Sequence, residues 1–201
     1  MTLGCLLPRT RFSEYLIGQN NLDERGFEKW IFHPGMLFNS TDRWWGDGGS
    51  RDNPHQGLDL CLYRDRNGED HTLDEKIKIP LIYDGEVANI INDYIGKSIF
   101  LIHDICDGKG NQLYSIYGHT ELCNGLDKGK TFHEGDVIAT IKDTREKKVD
   151  IMPHLHLSLA WVHTSLPYNK LNWKTISDPG IATLLNPLEF IVCKYKVLKD
   201  V

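Results

Sequence analysis

The sequence predicts an all-β, mainly antiparallel fold with few short helices. Three observations predict it. Short apolar or alternating segments of strand length recur from Gly57 to Trp161. Turn dipeptides separate them, at Asp84-Gly85, Asp107-Gly108, Asn124-Gly125 and Glu134-Gly135. Little sequence of helical period lies between, so the segments fit antiparallel hairpins better than strand–helix–strand crossovers.

Taken in order, the first fifty residues are aromatic and irregular, with Phe12, Tyr15, Trp30, Phe32, Phe38, Trp44 and Trp45. A short helix is expected around Ser13–Tyr15 or Leu22–Trp30. Asp47-Gly48-Gly49-Ser50 reads as a loop. Gly57 to Tyr63 alternates and reads as a strand, followed by a long charged loop, Arg64 to His71. Glu86–Ile91, Ser98–His103, Leu113–His119, Val137–Ile141 and His154–Trp161 read as further strands. The segment Asn186–Phe190 is expected to pack back on the sheet. No linker is visible, so the chain reads as one domain: residues 1–50 an N-terminal elaboration packed on the core, residues 51–201 the β domain.

The chain has 201 residues, 40% apolar and 25% charged, enough to bury a core without staples. Its formal net charge of −5 and pI near 6.0 argue against a nucleic-acid binder, which would carry a basic stripe. The longest run without Asp, Glu, Lys or Arg, Ile151–Asn169, contains three His and two Pro, so no membrane span is expected. The five cysteines, Cys5, Cys61, Cys106, Cys123 and Cys193, are odd in number and widely spaced, which reads as free thiols and leans towards an intracellular setting. No complete signal peptide is visible, although Thr2-Leu3-Gly4-Cys5 faintly resembles the end of a lipoprotein signal.

The nine histidines carry the chemistry. His55-Gln-Gly-Leu-Asp59 sets an imidazole and a carboxylate four residues apart at the entry to a strand. His154-Leu-His156 is an i, i+2 pair, and the period of a strand turns both imidazoles to one face. Tyr117-Gly118-His119 ends another strand. Two His and one carboxylate suit a catalytic zinc ion, which uses three protein ligands and keeps a fourth position for water. The resulting ligand charge of −1 leaves the metal electrophilic enough to lower the pKa of that water. The His-Glu-x-x-His helix of many metalloproteases is absent; His133-Glu134-Gly135-Asp136 lacks its second His.

In this order the motifs resemble those of the lysostaphin-type, or LytM-like, zinc endopeptidases, which share a duplicated-hybrid-motif β-fold. The resemblance covers residues 51–162. It runs through His55-x-Gly57-x-Asp59, Ile79-Pro-Leu-Ile-Tyr-Asp-Gly-Glu-Val87, Tyr117-Gly118-His119-Thr120, Glu134-Gly-Asp-Val-Ile-Ala139 and Pro153-His154-Leu155-His156-Leu157. It implies that His55, Asp59 and His156 hold one Zn²⁺. It implies that His119 and His154 stay off the metal and flank the bound water, one as general base and the other as oxyanion stabiliser, with the assignment open. It further implies hydrolysis of peptide bonds in peptidoglycan bridges or stems, a cell-envelope or secreted setting, and a monomer. Residues 1–50 match nothing in the family. Two other functions fit the same fold: a non-catalytic metal-binding regulator of cell-wall hydrolysis, and a phosphocarrier, whose chemistry needs no Asp59 ligand.

Other residues divide between site and scaffold. Arg43-Trp44-Trp45-Gly46-Asp47 either walls a substrate cleft or plugs the N-terminal segment onto the sheet. Tyr63 and Tyr117 read as core or rim, with Tyr117 in reach of the water. Cys61, two residues after Asp59, reads as core. His163 reads as a surface residue, and His33, His71, His103 and His133 as solvent-facing.

Overall fold

A computed structural model describes residues 7–145 and 150–198, so Thr2-Leu3-Gly4-Cys5 lies outside the described residues. In chain order the elements are α1 (Phe12–Gln19), β1 (Phe27–Phe32), β2 (Leu58–Leu60), β3 (Leu62–Asp65), β4 (Asp70–Thr72), β5 (Lys78–Pro80) and β6 (Gly85–Asn92). They continue with β7 (Lys97–Cys106), β8 (Asn111–Leu122), β9 (Thr131–Phe132), β10 (Val137–Ile141), β11 (Leu155–His163), α2 (Trp173–Ile176), β12 (Ala182–Leu185) and β13 (Tyr195–Val197). The expected class is the observed one: mostly β, with antiparallel pairing throughout the larger sheet.

That sheet runs β12-β11-β8-β7-β6-β9, with β2 paired to β11 and β10 to both β5 and β8. The Asp-Gly turns act where the sequence places them. Asp107 Oδ1 accepts the Lys109 and Asn111 N–H groups, which closes the β7–β8 hairpin tip. A second sheet, β13-β1-β3-β4, lies beside it, with β13 parallel to β1. Phe12, Leu16, Trp30 and Phe32 join one apolar core with Leu58, Ile79, Leu101, Tyr117 and Leu157, so α1 and β1 share the core of the main sheet. Pro187 and Ile191 are buried as well, and the C-terminal tail packs back as expected.

The helix falls at the first of its two expected places, as α1, and at the second Phe27–Phe32 is a strand. Gly26, at φ 84°, turns the chain, and Phe-Glu-Lys-Trp-Ile-Phe suits a pleated face paired with β3. Three local expectations are corrected. The Gly57–Tyr63 strand is two strands in different sheets, because β2 pairs with β11 while β3 pairs with β1. The charged Arg64–His71 loop is the β3–β4 hairpin, tightened by Asp65 Oδ1, which accepts the Asn67 and Glu69 N–H groups. His103 is fully buried rather than solvent-facing. Its Nδ1 meets the Asp84 carbonyl at 2.9 Å and its Nε2 the Ser115 hydroxyl at 2.8 Å, so both polar atoms are satisfied inside the core.

Among the described residues no helix is long and apolar enough to cross a membrane. Cys61, Cys106, Cys123 and Cys193 are unpaired thiols. Cys61 is core, as expected, and burial pushes its thiol up to about 12.

Candidate metal centre

Strand register brings the site together. His156 is directly opposite Asp59 in the β2–β11 pair and opposite Gly118 in the β8–β11 pair. One row across three strands therefore carries Asp59, His156 and the residue before His119. His55 sits just ahead of β2. The backbone of the N-terminal segment clamps it: His55 N–H donates to the Ser40 carbonyl, and Asn39 N–H to the His55 carbonyl, both at 2.8 Å. Gly57, between His55 and Asp59, permits the close approach of β2 to β11. A Cβ there would stand 2.3 Å from the Leu157 carbonyl oxygen and 2.9 Å from His156 Nε2.

All five residues expected at the site gather at this row. His55 Nε2 lies 3.1 Å from Asp59 Oδ1 and 3.0 Å from His156 Nδ1, and His156 Nδ1 lies 2.8 Å from Asp59 Oδ1. The His154 ring stands over the same point, its Nε2 4.0 Å from Asp59 Oδ1. The His119 ring centroid is 4.8 Å from that of His154 and 5.9 Å from that of His156. His55, Asp59, His154 and His156 are buried, whereas the His119 side chain keeps 22% of its surface.

The donor atoms of His55, Asp59 and His156 can hold a metal ion. The Leu37 carbonyl, 3.0 Å from His55 Nδ1, only accepts, so that nitrogen carries the proton and Nε2 presents its lone pair inward. That lone pair and a carboxylate oxygen face each other with His156 Nδ1 between them. Electron-rich atoms converge like this only around a proton or a cation. A tetrahedral zinc ion with bonds of about 2.0–2.1 Å would hold its ligand atoms about 3.3 Å apart, so a spread of a few tenths of an ångström seats it. Burial pushes His156 and His154 down to about 4, which keeps both imidazoles neutral at neutral pH. Burial alone would push Asp59 up. The imidazoles that face it, His55 first and then His154 and His156, outweigh it and hold the carboxyl well below the usual range.

Every ligand is anchored from behind. His55 Nδ1 is held by the Leu37 carbonyl, and His156 Nε2 by the Ser158 hydroxyl at 3.0 Å. The outer oxygen of Asp59 accepts the indole N–H of Trp44 at 2.7 Å, with the Arg51 guanidinium 3.6 Å away. Such outer contacts orient metal ligands and tune their basicity. Trp44 also meets His154 edge-on at 5.0 Å, and Trp45 stacks under Arg51 at 4.4 Å and lines the cleft. Trp44 thus seats the N-terminal segment against the site, and Trp45 lines the opening. Trp44→Phe keeps the ring and loses the N–H. A 10–100-fold weaker zinc affinity is expected, read by chelator competition; an unchanged affinity would show that the indole only packs.

The remaining expectations resolve simply. Tyr117 is fully buried, and its hydroxyl accepts the Ile82 N–H inside the core. Tyr63 is core, and His163 is exposed at the far end of β11 with its Nδ1 on Ser165. His133 is 86% exposed, while His33 is half-buried and His71 pairs with Asp65 at 3.0 Å. Asp65, Glu69 and His71 form a second group of donor atoms, but Asp65 already spends both oxygens on Asn67, Glu69 and His71. Sequence reading missed Asp93, Ser98, Ser158 and Trp173. The one local signal among them was Asp93-Tyr94-Ile95-Gly96, a turn with an Asx lead.

Two adjoining clefts open on the site. One, of about 420 Å³, is lined by Trp45, Tyr94, Ile95, Ile151, His119 and His154. The other, of about 270 Å³, is lined by Gln56, Asp93, Tyr94, His119, His156 and Trp173. Tyr94, His119 and His156 belong to both, and Tyr94 is 77% exposed above them.

No family model matches the chain, and no curated protein matches it. Solved structures do. A chain of the SpoIIQ–SpoIIIAH pore-forming complex aligns over 94% of this chain and 90% of its own length, at 14% identity and TM-score 0.43. Lysostaphin aligns over 78% of this chain and 54% of its own length, at 16% identity and TM-score 0.45. The catalytic domain of the prophage-encoded M23 protein EnpA of Enterococcus faecalis aligns over 68% and 92%, at 15% identity and TM-score 0.39. The chain is thus similar in structure to lysostaphin-type peptidases over most of its length, and it carries a buried His-Asp-His group.

Proposed function

We propose that this protein is a zinc-dependent endopeptidase that hydrolyses peptide bonds in peptidoglycan bridges or stems. The observation that carries the reading is the convergence of His55 Nε2, Asp59 Oδ1 and His156 Nδ1 within 4.8 Å of one another, each of the three residues fixed from behind, beside two further histidines, His119 and His154. Two nitrogen donors and one carboxylate suit zinc better than calcium or magnesium, which take oxygen ligands.

Zinc held there supplies a Lewis acid and lowers the pKa of water at the site. The chain's own residues do the rest. His119 and His154 stand side by side over the ligand row and divide proton acceptance from hydrogen bonding to the developing oxyanion. The Trp44 indole fixes Asp59 and shields its outer oxygen from water. Two adjoining clefts that share Tyr94, His119 and His156 leave room for a substrate chain beside the row. Trp45, Tyr94 and Trp173 offer flat walls for an extended peptide of small side chains.

The test is a digest. Zinc-loaded protein, incubated with peptidoglycan of several chemotypes and with a glycine-rich peptide, is expected to release new amino groups that mass spectrometry maps to peptide bonds. Stoichiometric zinc with every substrate left intact would overturn the enzyme reading and favour a metal-binding module of cell-wall regulation.

A further inference from the structure

His119 is held in an unusual way. Its φ of 63° is in the left-handed region, which costs a residue with a side chain of order 1 kcal/mol or more. The β7–β8 register explains how it gets there. Lys97 faces Thr120 and Ile99 faces Tyr117, so β8 carries one extra residue at Gly118-His119. A bulge of this kind re-aims a side chain. The carbonyl of His119 accepts the Lys142 N–H at 2.9 Å, and its N–H donates to Asp93 Oδ2 at 2.9 Å. Asp93 therefore helps hold the bulge open.

The same carboxylate faces the ring. His119 Nδ1 is buried and has no hydrogen-bond partner in the resting geometry, and Asp93 Oδ2 lies 3.4 Å from it. Asp93 is itself fixed on every side. Oδ1 accepts the Ile95 and Gly96 N–H groups at 2.9 and 2.6 Å, and Oδ2 accepts the Ser98 hydroxyl at 2.7 Å. Ser98 in turn accepts the indole N–H of Trp173 at 2.9 Å, and Trp173 packs edge-on against His156 at 5.1 Å. Burial opposes ionisation of Asp93, but the His119 side chain and these donors outweigh it and hold the carboxyl well below the usual range. An ionised carboxylate only accepts.

We propose that Asp93 is the positioning residue of His119: it binds the Nδ1–H tautomer and turns the unprotonated Nε2 edge of the ring to the cleft. The inference rests on the zinc-peptidase reading for its catalytic meaning, but not for its structural content. It separates the two non-ligand histidines. His154 has a neutral backbone carbonyl behind its Nδ1, Met152 at 2.8 Å, whereas His119 has an anion.

The test uses the zinc-loaded full chain. Long-range ¹H–¹⁵N spectra of the histidine rings, with the His119 signals assigned by their loss in His119→Gln, read the tautomer without substrate. The wild type is expected to show the proton on Nδ1. In Asp93→Asn the amide donates to Nδ1, so the proton is expected on Nε2. Zinc content should stay at one per chain, and kcat is expected to fall about 10²–10⁴-fold with little change in KM. Ser98→Ala, which removes one donor to Asp93 and leaves the carboxylate, is expected to keep the tautomer with about a 3–10-fold loss of kcat. A wild-type ring with its proton on Nε2, or an Asp93→Asn variant with tautomer and kcat unchanged, would overturn the assignment. A wild type that cleaves nothing would remove the peptidase reading, while the tautomer would still decide what Asp93 does.

Discussion

His156→Ala is expected to leave the purified protein with no stoichiometric zinc and with kcat/KM reduced by at least about 10³-fold. The residue occupies the centre of the ligand row. Its Nδ1 is 2.8 Å from the Asp59 oxygen and 3.0 Å from His55 Nε2, so its loss leaves two of the three converging donors. Two ligands rarely hold zinc against water, since protein sites use three or four. The variant also loses the ring that packs against Trp173 and leaves Ser158 without its partner, so a fall in apparent stability is expected alongside. The two effects separate on chelation. Stripping zinc from the wild type should reproduce the loss of activity and the part of the stability that metal binding contributes, because a ligand that binds only the folded state stabilises it by mass action. His163→Ala, on an exposed residue of the same strand, should keep one zinc per chain by mass spectrometry. Retention of one zinc per chain in His156→Ala would place the metal elsewhere.

The buried His-Asp-His group was legible because it is written in local spacing. His154-Leu-His156 needs only the two-residue period of a strand to place both rings on one face. His55-x-Gly-x-Asp59 needs only a tight entry into β2, and the glycine between them is where β2 presses on β11. The fold class was legible for the same reason, since alternation and Asp-Gly or Asn-Gly turns are short-range signals. What the sequence hid depends on long-range packing. The indole N–H of Trp44 meets Asp59 through the path of the N-terminal segment, and aromatic content alone left a plug and a cleft wall both open. Asp93 is 26 residues before His119, and a β-bulge, invisible in the residue pattern, sets their approach. His103 read as a polar residue at the end of an apolar run; its burial follows from two partners, Asp84 in the turn before β6 and Ser115 in β8. The split of Gly57–Tyr63 between two sheets has the same origin. The residues alternate without a break, and only the competition of β11 and β1 for the two halves decides it.

His154→Gln is expected to separate metal binding from chemistry: one zinc per chain retained, kcat lowered about 10²–10⁴-fold, KM nearly unchanged. The ring is buried and close to the ligands, yet its Nε2 stands 4.0 Å from Asp59 Oδ1, outside the 2.8–3.1 Å triangle that the three donors form. Its other nitrogen is committed to the Met152 carbonyl, which fixes the ring with Nε2 towards the cleft. Glutamine fills most of the volume between Trp44 and His119, so the ligand row keeps its walls, but it cannot take up a proton. The loss should therefore appear in the chemical step. If His119 and His154 serve the two halves of one proton transfer, the double variant His119→Gln, His154→Gln should be little slower than the slower single variant, because groups that act as a unit are not additive. Zinc lost on His154→Gln would make His154 a ligand. A kcat within tenfold of the wild type would leave His119 to carry the chemistry alone, supported by Asp93 from behind.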